Sequence, residues 1–259
     1  MKVKLLILTH IMSSFLSANI NPNIIPLCFS LPHRENMINF LKQFIKSDEL
    51  VYDVGANIGQ KTELYLACGA KVICIEPQPE CIAVLQQKFR NNGRIVIEKK
   101  GLAEKDGTLE LLQCSSSNTI STFSQEWVND GRFANSHTWD KKIIVPVTTL
   151  DKIIELYGLP SFCKIDVENF EYEVLKGLTK PIPFLSFECA CECFNNTKKC
   201  ITYLDSLGYK QFNFVVGESS KMYFEKWLSA QEIIINLDSY AQDSYYKNIV
   251  WGDIYARYE

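Results

Sequence analysis

The sequence has no C-x-x-C pair, no glycine-rich loop followed by Lys-Ser or Lys-Thr, no basic run, and no apolar stretch long enough to cross a bilayer. Each absence removes a class of function. Cys189, Cys191 and Cys193 have neither the usual zinc spacing nor a histidine nearby, and their alternation suits three thiols on one face of a core strand. The missing Lys-Ser/Thr pair removes a P-loop nucleotide site. A polynucleotide partner would ask for a positive stripe. Instead 27 basic residues stand against 30 acidic ones, a formal net charge of −3, which points to a small or neutral partner and not to nucleic acid. No internal repeat interrupts the pattern.

What is present is a core. With 47% apolar residues in 259, the chain is expected to fold as one large domain with an extension. Its ten cysteines fall partly inside apolar strand patterns, as at Cys74 and Cys163, where a thiol acts as a small hydrophobe. A chain this rich in core has no need of a disulfide framework, so reduced thiols in a cytoplasm are expected. The N-terminus complicates that. Lys2 and Lys4 precede Leu5-Leu6-Ile7-Leu8, and Phe15-Leu16-Ser17-Ala18 follows, which looks like a short signal peptide. His10, Ser13 and Ser14 break the run, and it is too short to span a membrane. Cytoplasmic residence is the expectation, with residues 1–18 as a targeting or membrane-attachment signal the alternative. Oligomeric state is not readable.

Residues 1–35, with Pro22, Pro26 and Pro32, read as an irregular lead-in or targeting segment, and 36–259 as the folded domain. Met37 to Ile45 has helical spacing and is expected to dock on a sheet. Strands are expected at 50–52, 72–76, 94–98, 108–112, 162–167, 184–188, 211–216 and 249–256. Helices are expected at 60–67, 79–89, 171–178 and 198–207, with another ending at Tyr157-Gly158. Residues 115–142, polar and carrying Trp127, His137 and Trp139, form an insertion that could serve as a lid. The alternation of strands and helices predicts an α/β, doubly wound, mostly parallel sheet with an N-terminal helical extension.

One stretch carries most of the chemistry. Asp53-Val54-Gly55-Ala56-Asn57-Ile58-Gly59 follows a strand and opens a helix, and roughly twenty residues after Gly55 a second strand ends on Glu76. That is the layout of a Rossmann-like nucleoside site. Gly55 permits a tight turn and close ligand approach, Gly59 removes a side chain where helix meets strand, and Glu76 is placed to accept from ribose hydroxyls. Asn57 stands where a dinucleotide fingerprint has its second glycine, so a pyrophosphate is not the expected ligand. An acid at the first strand tip suits a cationic amino-acid end. S-adenosyl-L-methionine has that end, and an adenosine for Glu76.

Three blocks in order resemble the FkbM family of S-adenosylmethionine-dependent methyltransferases. They are Asp53 to Gly59 with Glu76-Pro77, Val145-Pro146-Val147-Thr148-Thr149-Leu150-Asp151, and Lys164-Ile165-Asp166-Val167-Glu168 followed by Glu171 to Gly177; Trp251-Gly252-Asp253 is also similar. The resemblance implies a class I methyltransferase fold. Two departures stand out. Asn169 replaces a usual glycine, although Asn tolerates left-handed backbone better than most residues. Cys189-Ala190 follows Glu188 where a histidine is common nearby.

Ligands of open α/β sheets bind beyond the carboxyl ends of the strands. Asp53, Gly55, Asn57, Gly59 and Glu76 are assigned to the cofactor. Asp166, Glu168 and Glu188 are candidates to take a proton from an acceptor hydroxyl, or to hold a divalent cation that acidifies it. Lys164 either pairs with a strand-tip carboxylate or meets the substrate. Glu171 and Glu173 read as solvated helix faces, His137 as a surface residue, and the tryptophans as packing. The expected function is methyl transfer to a hydroxyl of a small molecule or sugar-containing glycan. N-methylation, protein methylation and a catalytically silent cofactor-binding module are the alternatives.

Overall fold

The structure, a computed structural model, describes residues 31–243 and 250–258. The signal-like stretch at 1–18 and most of the lead-in lie outside the described residues. Helix α1 spans Leu31–Leu41, so it begins within the predicted lead-in, next to Pro32, and ends before Ile45. Proline is tolerated in a first helical turn because its missing N–H would have no partner there.

The chain continues through β1 (Leu50–Val54), α2 (Gln60–Ala67), β2 (Lys71–Ile75), α3 (Pro79–Lys88), β3 (Ile95–Glu98), β4 (Gly101–Leu102) and β5 (Gly107–Gln113). Helix α4 (Gln125–Asp130) lies in the insertion. Then come β6 (Lys141–Thr148), α5 (Leu150–Tyr157), β7 (Phe162–Ile165), α6 (Glu171–Leu175), β8 (Phe184–Ala190), α7 (Phe194–Ser206), β9 (Gln211–Val216), α8 (Ala230–Gln242) and β10 (Trp251–Arg257). The main sheet has seven strands in the order β3-β2-β1-β7-β8-β10-β9. Its first five are parallel, and β10 runs antiparallel between β8 and β9. This is the α/β, Rossmann-like, mostly parallel sheet that the alternation predicts.

Strands β4, β6 and β5 form a second, three-stranded sheet. There Val145 to Thr148 is strand, where the sequence suggested only an approach to the next helix. Pro146 lies opposite Thr108 of β5, while β4 reaches only Val147 and Thr148. At Pro146 the other flank of β6 is therefore unpaired, and a missing N–H costs no ladder bond. Helix α8 has a capping box between Ser229 and Glu232. The Ser-x-x-Glu signal for it stands in the sequence.

The period-two alternation of strands sorts side chains between two cores. Tyr52, Val54, Cys163, Ile165, Ile254 and Ala256 pack against α5 to α8. Val51, Phe162 and Tyr255 pack with Phe40 of α1 and Tyr65 of α2 on the opposite face. By the same alternation Asp53, Lys164 and Asp253 share that second face, at the carboxyl ends of β1 and β7 and beside the start of β10. Three charged side chains thus stand where apolar ones stand one turn of the pleat away.

Candidate active site

The loop after β1 is shaped by its glycines. Gly55 has φ +81°, and a Cβ built there would lie 1.8 Å from the Asp166 carbonyl oxygen. The side chain is absent for the sake of the neighbouring strand tip, a more stringent demand than ligand approach alone. Gly59 (φ +79°) leaves room for Phe89 and Leu85, whose atoms would lie 2.7 and 2.8 Å from an added Cβ. The helix that needs this space is α3, so the expected helix–strand contact is corrected to a helix–helix one. Asn57 also has positive φ and donates its backbone N–H to Glu76 at 2.8 Å.

Glu76 accepts a second backbone bond from Gln78 at 2.8 Å and is 2% exposed. Burial pushes its carboxyl up to about 7, against the two backbone donors that pull it down. Asp53, also 2% exposed, accepts from the Thr62 hydroxyl at 2.5 Å. Burial raises it to about 6, with the Thr62 bond opposing. Both carboxylates line one cavity of about 920 Å³ together with Gly55 and Asn57.

The same cavity is lined by Asp166, Glu168 and Glu188, each half-buried, with one oxygen apiece mutually within 4.8 Å. Glu168 and Asn169 have φ of 57° and 66°. For a long side chain such as Glu this left-handed backbone costs about 1–2 kcal/mol, so surrounding bonds must hold it. The insertion supplies them. Thr122 donates to the Glu168 carbonyl at 2.6 Å, and the Asn169 amide donates to Ser124 and Glu126 at 3.1 Å each. Burial, then Glu188 and Asp166, raise the Glu168 carboxyl well above the usual range. Burial and Asp166 do the same to Glu188, with Arg132 opposing.

Lys164, 2% exposed, reaches Asp253 at 2.7 Å and Asp166 at 3.2 Å. Burial alone would lower its pKa, but Asp166 and Asp253 hold it well above normal. Asp253 is delivered by β10, opposite Glu188 in the register. Beside this cluster, Lys61 pairs with Glu218.

Several sequence expectations change here. Glu171 is not a solvated helix face. It is buried at 2% exposure, accepts from the Val167 N–H at 3.1 Å and from Asn196 at 2.9 Å, and burial raises it to about 7. Glu173 pairs with Lys176 at the surface. Trp251 and His137 line the cavity, whereas Trp127 packs in a small cluster with Ala190 and Cys193. Cys191 to Cys193 form a 3₁₀ turn, so the three thiols do not alternate along one strand. Arg132, unremarked in the sequence, comes from the insertion and lines the cavity. It forms two bonds to Glu192, at 2.6 and 3.3 Å. Its guanidinium stands 5.8 and 5.5 Å from the Trp127 and Trp251 ring centres.

The raised carboxyls set a pH dependence. A group whose folded pKa exceeds its unfolded one stabilises the fold fully below the unfolded value and loses that contribution as pH rises through the folded one. For Asp53, Glu76 and Glu171 the loss runs from about pH 4 to about 7. Glu80, lowered by Lys141, acts below pH 4.5, outside this window. The ligand-free protein is therefore expected to melt several degrees lower at pH 8 than at pH 5, measured by thermal denaturation. A flat or rising profile would contradict the buried, uncompensated placement of Asp53 and Glu76.

Among the described residues no helix is long and apolar enough to cross a membrane. The hexuronic acid methyltransferase AglP of Haloferax volcanii is 23% identical over 160 residues, a stretch that spans 59% of this chain and 59% of that protein. Among solved structures, the precorrin-6y C5,15-methyltransferase of Geobacter metallireducens aligns with a TM-score of 0.45 at 10% identity, covering 87% of this chain and 86% of that one. An S-adenosylmethionine-dependent O-methyltransferase of Thermotoga maritima aligns with a TM-score of 0.42 at 8% identity, covering 96% of this chain and 71% of that one. The family model of the methyltransferase FkbM domain matches residues 53–232, more than half of the chain, and takes in the Asp53 loop, Glu76 and the Asp166 to Glu188 cluster. The chain belongs to the FkbM family of S-adenosylmethionine-dependent methyltransferases.

Proposed function

We propose that the protein transfers a methyl group to a hydroxyl of a small molecule or sugar. The observation that carries this is a single cavity lined both by the Asp53–Glu76 loop and by three clustered carboxylates. The loop fits the cofactor: Glu76 is a strand-tip carboxylate for ribose hydroxyls, and Asp53, Gly55, Asn57 and Gly59 shape the wall beside it. S-adenosylmethionine supplies an electrophilic methyl group on a sulfonium. The protein's part is to align the acceptor oxygen with that carbon and remove the proton as the new bond forms. Glu168 and Glu188 take that proton. Their mutual repulsion in a desolvated site makes the ionised member a stronger base than a free carboxylate. Lys164 orients Asp166 beside them. The hexuronic acid named for the Haloferax volcanii relative supports an oxygen acceptor over an amine. A cofactor made inside cells favours a cytoplasmic protein.

The three carboxylates converge closely enough to raise a second reading, a divalent cation held by Asp166, Glu168 and Glu188. Lys164 already sits 3.2 Å from Asp166. That ammonium occupies one flank of the group, so we assign proton removal to the carboxylates alone.

Calorimetry separates the roles. Wild-type protein is expected to bind S-adenosylmethionine and ignore NAD, and Asp53→Ala to lose binding. Glu168→Gln is expected to keep cofactor affinity while S-adenosylhomocysteine formation with glycoside acceptors falls about 10²–10⁴-fold, the usual worth of a general base. A chelator should leave turnover unchanged. NAD binding without S-adenosylmethionine binding would sink the reading.

A further inference from the structure

The acceptor side of the cavity is richer in carboxyl groups than in cations. Asp166, Glu168 and Glu188 line it beside Lys164 and Arg132, and these two cations are held by Asp253 and Glu192, which do not line it. Neither cation is spare. Lys164 is shared between Asp166 and Asp253. Arg132 gives one edge of its guanidinium to Glu192 in a bidentate contact and lies in the fields of Glu188 and Glu168. Lys61, nearby, is paired with Glu218. Lys100 also lines the cavity, but from the loop after β3, with β2 and β1 between it and β7 in the sheet order.

The rest of this side is aromatic. Phe133 and Trp251 stand beside Arg132 and line it. Aromatic faces take the C–H faces of a sugar ring, and carboxylates accept from its hydroxyls. Neither feature provides for a second anion. A like charge placed against a desolvated carboxylate costs several kcal/mol, and a guanidinium committed to one carboxylate has little left for another.

We infer that the acceptor is an uncharged, polyhydroxylated compound of about sugar size, and that Glu168, Glu188 and the Glu192-locked Arg132 reject uronates and other anionic acceptors. This rests on the methyltransferase reading above and departs from the acceptor named for the Haloferax volcanii relative. Glu192 is the specificity-determining residue, acting through Arg132: its side chain is 2% exposed and its charge cancels a guanidinium that would otherwise face the cavity.

The test is a binding comparison on protein saturated with S-adenosylhomocysteine, in chelator. Neutral methyl glycosides of glucose, galactose and mannose are set against the matching methyl uronosides by calorimetry. At least one neutral glycoside is expected to bind on the order of tenfold or more tightly than its uronoside. Glu192→Gln, which frees Arg132, is expected to gain uronoside affinity by about tenfold while the neutral partner changes little. Equal or tighter uronoside binding by the wild type, or no neutral glycoside binding at all, overturns the inference and leaves the cofactor reading intact. Failure of S-adenosylhomocysteine itself to bind would instead bring down the reading beneath it.

Discussion

Gly55→Ala is expected to abolish cofactor binding and to cost the fold at least about 3 kcal/mol. Two independent penalties combine. The residue sits at φ +81°, where an L side chain costs about 1–2 kcal/mol. The new methyl would also lie 1.8 Å from the Asp166 carbonyl oxygen, a backbone atom that no rotamer change can move. Relief requires the tips of β1 and β7 to part, yet the Asp166 N–H is bonded to the Val54 carbonyl at 2.9 Å and Gly55 to the Ile75 carbonyl at 2.9 Å. Separation therefore breaks the ladder at the point where cofactor and acceptor halves join. Calorimetry should show affinity lowered at least about a hundredfold, equivalent to about 2.7 kcal/mol, alongside a lower melting temperature. Near-normal affinity would mean that the loop can shift without consequence, and the central geometric claim would be wrong.

Lys164→Met should destabilise the protein by about 3–5 kcal/mol, the usual result of removing one partner from a buried ion pair. The volume is nearly kept, so the loss reports charge. Asp253, 16% exposed in its side chain, is left without its 2.7 Å partner, and Asp166 without its 3.2 Å one. Adding Asp253→Asn to Lys164→Met is expected to restore part of the stability, because the orphaned carboxylate is gone. The single variant should also recover partially at low pH, where Asp253, already raised by burial, takes up a proton. Chemical denaturation of both variants at pH 5 and pH 8 reads this directly. Equal loss in single and double variants would show that Lys164 acts through packing alone.

Much of this arrangement was legible in the residues. The Asp53 loop, Glu76 and the alternation of strands and helices follow from local signals: glycine spacing, period-two apolar runs, and acids at strand ends. Asn169 in left-handed backbone also agrees with its side-chain type. What escaped was non-local. Glu171 belongs to a helix whose spacing reads as solvated, and only the packing of α7 against it supplies Asn196 and buries it. Lys164 could be seen to need a carboxylate, but its firmer partner, Asp253, stands 89 residues away on an antiparallel strand. Arg132 carries no motif, and the Trp251-Gly252-Asp253 resemblance says nothing of where Trp251 packs. Their proximity arises because an insertion between β5 and β6 folds back over the tip of β8. The three-stranded sheet was obscured by Pro146, which a single-strand reading discounts.

The placement of β10 has a consequence for how the molecule is made. Strand β9 leaves the ribosome before β10 does, yet among the described residues β10 is the strand it pairs with in the finished sheet, its other side making only the isolated Phe212–Leu228 bridge. Until residues 251–257 emerge, β9 has an open edge, β8 lacks its outer partner, and Lys164 has no Asp253 to meet. Nascent chains that already hold every residue of the cofactor loop are thus unable to close the sheet or complete the charge cluster. The closing strand is a late keystone, and chains interrupted before it are expected to be seen by proteases and chaperones as unfinished.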